Sequence, residues 1–182
     1  MHQHLLVNTR AWHGVAESAF ALRRRLASIP SYLGLLQSLW CLHSAFERSV
    51  HQHDLSAHGI DVKERKRAHW LAADLQALGA EPEVAPALHP IASAAEAIGC
   101  LYVLEGSTLG GQVILPQAVR LLGVSEHRGA RFFVGHGERN SRLWTDFLHA
   151  LNAFNPQSEE GRLIQHGAIG TYAEFASVLR MR

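Results

Sequence analysis

Two groups of residues in this chain have the types and spacing that chemistry requires. The first centres on His13, which shares an apolar helical face with Thr9, Trp12, Ala16 and Phe20 at intervals of three and four. Glu17 follows one helical turn later. A carboxylate there can accept a hydrogen bond from one ring nitrogen, fix the tautomer and leave the other nitrogen for a metal. By itself, a histidine among apolar residues is equally a satisfied core residue. The second group is the run Tyr102-Val103-Leu104-Glu105-Gly106-Ser107-Thr108-Leu109-Gly110-Gly111-Gln112-Val113-Ile114. Each interior glycine costs a helix about 1 kcal/mol relative to alanine. Gly106, Gly110 and Gly111 therefore predict a helix that breaks or bends near its middle, with one side stripped of side chains. Such a surface lets the backbone approach a flat object closely. It equally lets two helices cross at short distance, and the glycines alone do not choose between these.

The elements that must position these residues read as helices throughout. The first is expected from about Leu5 to Leu26, closing on Arg23-Arg24-Arg25, where positive charge suits a helix C-terminus. Pro30-Ser31 marks the next boundary, with Ser31 as the expected N-cap. A second helix then runs from Tyr32 to Val50 with Leu35, Leu36, Leu39, Trp40, His43 and Phe46 facing inward. His51 to Asp61 reads as a polar loop, and Val62 to Leu78 as a third helix. A Pro-rich linker from Glu81-Pro82 to His89-Pro90 leads into the glycine-interrupted helix, Ile91 to Leu122. Gly123 to Gly137 is expected to be a loop holding the short ordered apolar piece Phe132-Phe133-Val134, with a short strand as the alternative. Asn140 to Phe154 forms a fifth helix. Asn155-Pro156 opens a sixth that reaches Leu179, with proline at its first position. The fold class is all-α, one helical bundle spanning residues 1–182 with a bent helix over its functional face.

Composition narrows the partners. The chain has 182 residues, enough for one packed domain, and a formal net charge of +1, too balanced for a nucleic-acid partner. No apolar run reaches the roughly 18 residues that a membrane span needs. Neither does Met1-His2-Gln3-His4 begin a secretory signal. Cys41 and Cys100 both fall on apolar helical segments and read as buried thiols of a reducing cytoplasm rather than a disulfide. Thirteen histidines are the unusual count, and His51-Gln52-His53 reads as a surface feature.

The run Tyr102 to Ile114 resembles the distal-helix signature of the bacterial haem oxygenases, most of all those that accompany bacteriophytochromes. Thr9-x-x-x-His13-x-x-x-Glu17 is similar to the proximal-histidine motif of the same family. Weaker similarity extends to Tyr32-x-x-Leu35-Leu36, to Phe132-Phe133 with Trp144-x-x-Phe147, and to Thr171-Tyr172-x-x-Phe175. The resemblance implies an enzyme that uses haem as substrate and prosthetic group, with iron on His13, and converts it with O2 and electrons to biliverdin, carbon monoxide and ferrous iron. It implies electrons from a ferredoxin or a flavoprotein reductase, and biliverdin passing to a bacteriophytochrome. It assigns Glu17, Arg10 and Tyr102 to haem binding, and Gly106, Ser107, Gly110 and Gly111 to the oxygen side. There, backbone N–H groups of Gly110 and Gly111 with ordered water would meet the bound gas. Two positions depart from the family pattern. Ser107 stands where many members carry an aspartate, and Leu5, Leu6 and Val7 occupy the region of a propionate-pairing base. Arg10 or Arg180 offers a substitute for that base. A haem carrier of the same fold is the alternative. A thiamine-degrading relative would need an activated cysteine.

Overall fold

The computed structural model describes residues 1–85, 88 and 90–181. Within them the chain folds into helices α1 (His2–Asn8), α2 (Arg10–Phe20), α3 (Leu22–Arg25), α4 (Ile29–Val50), α5 (Ala68–Ala77), α6 (Ala94–Leu122), α7 (Arg131–Val134), α8 (Asn140–Asn152) and α9 (Glu159–Met181). Short 3-10 turns lie at Ser56–His58, Lys63–Arg65 and Gly137–Arg139. No strand forms among the described residues, and the apolar piece Phe132-Phe133-Val134 is the short helix α7. Pro86, Ala87 and His89 of the expected linker lie outside the described residues. The rest of that linker is pinned to α4, where Gln37 Nε2 donates to the Glu81 carbonyl at 2.6 Å and Trp40 Nε1 to that of Glu83 at 2.7 Å.

α4, α6 and α9 carry the core, and small residues set how closely α6 and α9 cross. A Cβ on Gly99 would stand 2.0 Å from the Ile164 carbonyl oxygen, and one on Gly167 would stand 2.3 Å from that of Glu96. Close helix crossing is therefore the work of Gly99 and Gly167, one on each partner, and not of Gly106 or Gly110. Glu96 adds polar ties at the same place: it accepts from Ala92 N at 2.7 Å and meets His166 Nδ1 at 3.0 Å.

The predicted first helix is three helices. Thr9 ends α1, and Ala21 separates α2 from α3 in the left-handed region at φ 46°. The apolar periodicity ran straight through both joints, because neither threonine nor alanine announces a break. Ser28 caps α4, its Oγ accepting from Ser31 N at 3.3 Å, so Pro30 sits inside the first turn and Ser31 is not the cap. Similarly, Asn155-Pro156 forms a turn, and Ser158 takes the capping role by accepting from Gly161 N at 3.1 Å. α5 begins only at Ala68, since the expected helix over Val62 to Lys66 is spent on a 3-10 turn.

The largest difference lies in α6. It runs as one helix from Ala94 to Leu122 through Gly106, Gly110, Gly111 and Pro116, with the Ser93 hydroxyl capping its start and Gly123 its end. Burial offsets the intrinsic cost of its glycines: every residue from Ala97 to Glu105 is buried. With a mean hydropathy of 1.3 over its best window, α6 is long and apolar enough to cross a membrane, but 56% of that window is buried inside the protein.

Candidate functional site

A cavity of about 620 Å³ opens between α2 and α6. That size is ordinary for a small-molecule site, where about 300–1,000 Å³ is usual. α2 contributes His13, Ala16, Glu17 and Phe20 as one wall. The opposite wall is the stripe Tyr102, Gly106, Leu109, Gly110 and Val113 of α6, one face of a 3.6-residue repeat. Tyr172 and Phe175 of α9 close the side, and His43 of α4 with Phe132 and Phe133 of α7 forms the floor.

The structure brings His13, Glu17, Tyr102, Gly106, Ser107 and Gly110 to this one cavity. The space beside Gly110 is open, with nothing within 4 Å of an added Cβ, and a Cβ on Gly106 would meet only Trp144 at 3.8 Å. Two expected residues are elsewhere. Gly111 is rotated about 100° from Gly110, and its added Cβ would stand 3.1 Å from the Phe133 carbonyl, so it serves the packing of α7 rather than the cavity. Arg10 lies on the exposed face of α2, outside the lining. Trp12, expected beside His13, is 40% exposed and likewise not part of it. Nor do the glycine N–H groups point into the slot. In an unbroken helix each is bonded to the carbonyl four residues back, so what Gly106 and Gly110 provide is room.

Around His13 the arrangement is looser than its motif suggested. Its Nδ1 lies 3.9 Å from Glu17 Oε2, too far for a hydrogen bond, and both side chains are mostly exposed. Tyr172 approaches the ring edge-on at 5.7 Å.

Ser107 is committed to the protein. Its hydroxyl donates to the Leu104 carbonyl at 2.6 Å and accepts from Arg67 Nη2 at 3.0 Å. Arg67 is 2% exposed, also donates to the Leu104 carbonyl, and lies over the Phe132 ring at 5.1 Å. Beside it, Arg65 and Glu105 form a buried ion pair at 2.8 Å. A cation thus stands behind α6 at the position where an aspartate was expected in front.

The residue that the spacing argument placed inward but gave no role is His43. It is 1% exposed and lines the cavity, and neither ring nitrogen has a hydrogen-bond partner. Its closest carboxylate oxygen, Glu47 Oε1, is 3.9 Å away and already accepts from Arg67 N and Ala68 N. Burial, helped by the Arg67 charge, holds its pKa well below the usual imidazole range, so it is neutral at physiological pH. A neutral imidazole offers one donor and one acceptor nitrogen. Leaving both unpaired in an apolar floor is costly, which marks the position as kept for a ligand or water in the slot. The signal in the sequence was a histidine in the leucine stripe of the second helix. His2 is a second omission: it lines the cavity from α1, where the N-terminus had been read only for targeting.

Cys41 and Cys100 are buried, and neither forms a disulfide. Burial pushes the Cys100 thiol up to about 12, the opposite of an activated nucleophile.

The fold and site define a helical protein with an apolar slot for a flat ligand, flanked by an imidazole on one side and a side-chain-poor helix on the other. The chain belongs to the haem oxygenase family, whose family model (heme oxygenase) matches residues 1–181. It is similar to a structure of the haem oxygenase from Neisseria meningitidis bound to NO and CO. That likeness has a TM-score of 0.87 and 26% identity, and covers 98% of this chain and 89% of that one. It is also 33% identical over 87 residues to the haem oxygenase PigA of Pseudomonas aeruginosa. That alignment takes in 48% of this chain and 43% of the relative, so the chain spans less than half the length of the curated relative it matches.

Proposed function

We propose that this protein is a haem oxygenase that binds haem between α2 and α6, with His13 as the iron ligand, and converts it with O2 and electrons to biliverdin, carbon monoxide and ferrous iron. The observation that carries the reading is the pairing of His13 on one cavity wall with the unobstructed stripe at Gly106 and Gly110 on the other. The residues fit the group: an imidazole for the iron, an apolar slot for the ring, and an orphaned buried imidazole on the floor. Haem, once bound, supplies the redox chemistry and the ring that is cleaved.

The chain's own residues do the rest. His13 orients the ring from α2. Gly110, with open space beside it, would leave room on the α6 side of the bound group for a diatomic gas. Phe132, Phe133 and Phe175 give the slot apolar surface beside His43. His43, held neutral by burial and the Arg67 charge, offers one donor and one acceptor nitrogen, so it can pass a proton between groups in the slot without becoming charged, a role that Ser107, tied to Leu104 and Arg67, does not supply. Arg67 fixes Ser107 and places a positive charge behind the gas-binding side of α6.

The partners belong to the same proposal. A ferredoxin or a flavoprotein reductase supplies the electrons, and biliverdin passes to a phytochrome, the reading supported by the Glu105-Gly106-Ser107 pattern. Hemin added to the purified protein should give a Soret band. Reductant and oxygen should then convert it to a biliverdin spectrum. A bound-haem spectrum that persists under those conditions would make the chain a carrier, and no binding would remove both readings.

A further inference from the structure

Beside the slot lies a second recess, of about 280 Å³, where the joint between α2 and α3 meets the last turn of α9. Ala19 and Ala21 face this recess, while Phe20 between them lines the slot, so the end of α2 is a partition between two cavities. Leu179 belongs to both. Among the described residues no arginine or lysine lines the slot, whereas Arg24, Arg25 and Arg180 converge on the recess and no acidic side chain lines it. Arg180, named from the sequence as a substitute for a base that pairs with haem carboxylates, thus stands on the far side of the partition.

Like charges gathered in one place repel, and something must offset them. Helix ends do so in part. α2 and α9 both finish at the recess, and a helix C-terminus carries about half a negative charge. Three guanidiniums against two such ends leave about two positive charges unmatched. Arg25 is the most firmly placed of the three. It is 6% exposed, its Nη2 donates to the Leu179 carbonyl at 2.6 Å, and its Nη1 lies against Gly34 of α4, 3.7 Å from where a Cβ would stand. Its Nε is buried without a hydrogen-bond partner. Burial, and after it the Arg24 charge, lower its pKa from the usual arginine value. A planar fork fixed in this way is organised before any ligand arrives. Ser18 adds no donor, because its hydroxyl donates to the Gly14 carbonyl at 2.8 Å.

The unmatched charge selects the ligand. A carboxylate brings one negative charge. A phosphate group at neutral pH brings about 1.5 to 2, with three acceptor oxygens that several guanidiniums can share. The volume lies just below the roughly 300 Å³ at which sites for whole small molecules begin, which suits one compact group. We propose that the recess is an anion site that takes a phosphate dianion, free or as the end of a small phosphomonoester, and that the bound group ties α3 to the end of α9 across the Ala21 joint. The site is separate from the haem slot, and its test needs no haem.

Calorimetric titration of the whole chain with inorganic phosphate, phenyl phosphate and acetate, at constant ionic strength, reads the site directly. Phosphate should bind about ten-fold more tightly than acetate. Tighter binding of phenyl phosphate than of phosphate assigns the group to a phosphomonoester with its apolar part on Ala19, Ala21 and Leu179, and equal or weaker binding assigns the site to the free ion. Arg24→Gln with Arg180→Gln, both at exposed positions, should weaken phosphate binding by about ten-fold and leave the melting temperature in chloride unchanged. Arg25→Lys keeps the charge without the fork and should weaken binding in part, whereas Arg120→Gln, exposed on α6 and outside the recess, should change nothing. Unaltered phosphate affinity in the Arg24/Arg180 variant overturns the proposal, as does phosphate binding no tighter than acetate binding. Competition between phosphate and protoporphyrin IX would put the anion in the slot and overturn it as well.

Discussion

His13 and Gly110 face each other across the slot and make separable demands. His13→Ala should abolish the ligand-field features of bound hemin while leaving protoporphyrin IX binding intact, as read by absorbance and by fluorescence quenching respectively. An unaltered hemin spectrum would move the axial ligand to another residue. Gly110→Leu fills the open side without touching α2, so hemin should still give its Soret band while carbon monoxide binding to the reduced form and biliverdin formation are lost. Normal turnover in that variant would assign the glycine to packing. His43→Phe preserves the aromatic floor beside Phe132 and removes both nitrogens. It should keep hemin affinity and lower turnover by about 100-fold, the lower range for losing a proton-handling group. His13 on its helix and Gly106 with Gly110 on theirs were legible because spacing puts each on one helical face and the family resemblance gave those faces a use. His2 and His43 were not assigned, because lining the cavity is a fact of three-dimensional surroundings. Arg67 was invisible for the same reason: it sits 40 residues from Ser107 and meets it only where the segment just before α5 reaches α6 in the folded chain.

The helices were legible in order but not in number: six were expected and nine form among the described residues, because joints within the first and the short α7 went unread. α6 was expected to break because propensity counts only the local cost of glycine, whereas the helix is held by burial along its N-terminal half and by the crossing at Gly99. Gly99→Ala should accordingly destabilise the protein by about 3 kcal/mol in urea unfolding, since the new methyl group meets backbone on α9 that cannot turn aside. Gly110→Ala, with open space around it, should be neutral or slightly stabilising in the same assay. α7 was taken for a loop because four residues cannot signal a helix. It exists because Asp74 of α5 accepts from Arg131 N and Phe132 N, both at 2.8 Å, which turns Phe132 and Phe133 toward the cavity. Burial raises the Asp74 carboxyl from 3.8 to about 6, against the opposing effect of those two N–H groups. With the folded pKa above the unfolded one, the contribution to stability is whole below about 3.8 and is lost as pH rises through about 6. Asp74→Asn leaves one acceptor for two donors where the ionised carboxylate offers two, so it should destabilise the protein by about 1–2 kcal/mol. It should also flatten the pH dependence of unfolding between pH 4 and 7, measured by urea titration at several pH values.

Across the whole protein, order is unevenly distributed. α4, α6 and α9 contain long buried runs, whereas α2 has no buried residue at all and is bounded by Thr9 on one side and left-handed Ala21 on the other. Amide exchange should therefore be fast along α2 in the free protein and slow once hemin binds, with α6 and α9 little changed. Uniform protection before and after binding would mean that α2 is held by α9 alone. The ligand should also raise global stability by about 2.7 kcal/mol at 100 times its dissociation constant. The joint at Ala21 then acquires a meaning for the catalytic cycle. If His13 takes the iron as proposed, bound haem would add a tether to α2 beyond the packing of that helix on α9. Release of the metal would remove the added tether and loosen the wall beside which a bulky linear product has to leave.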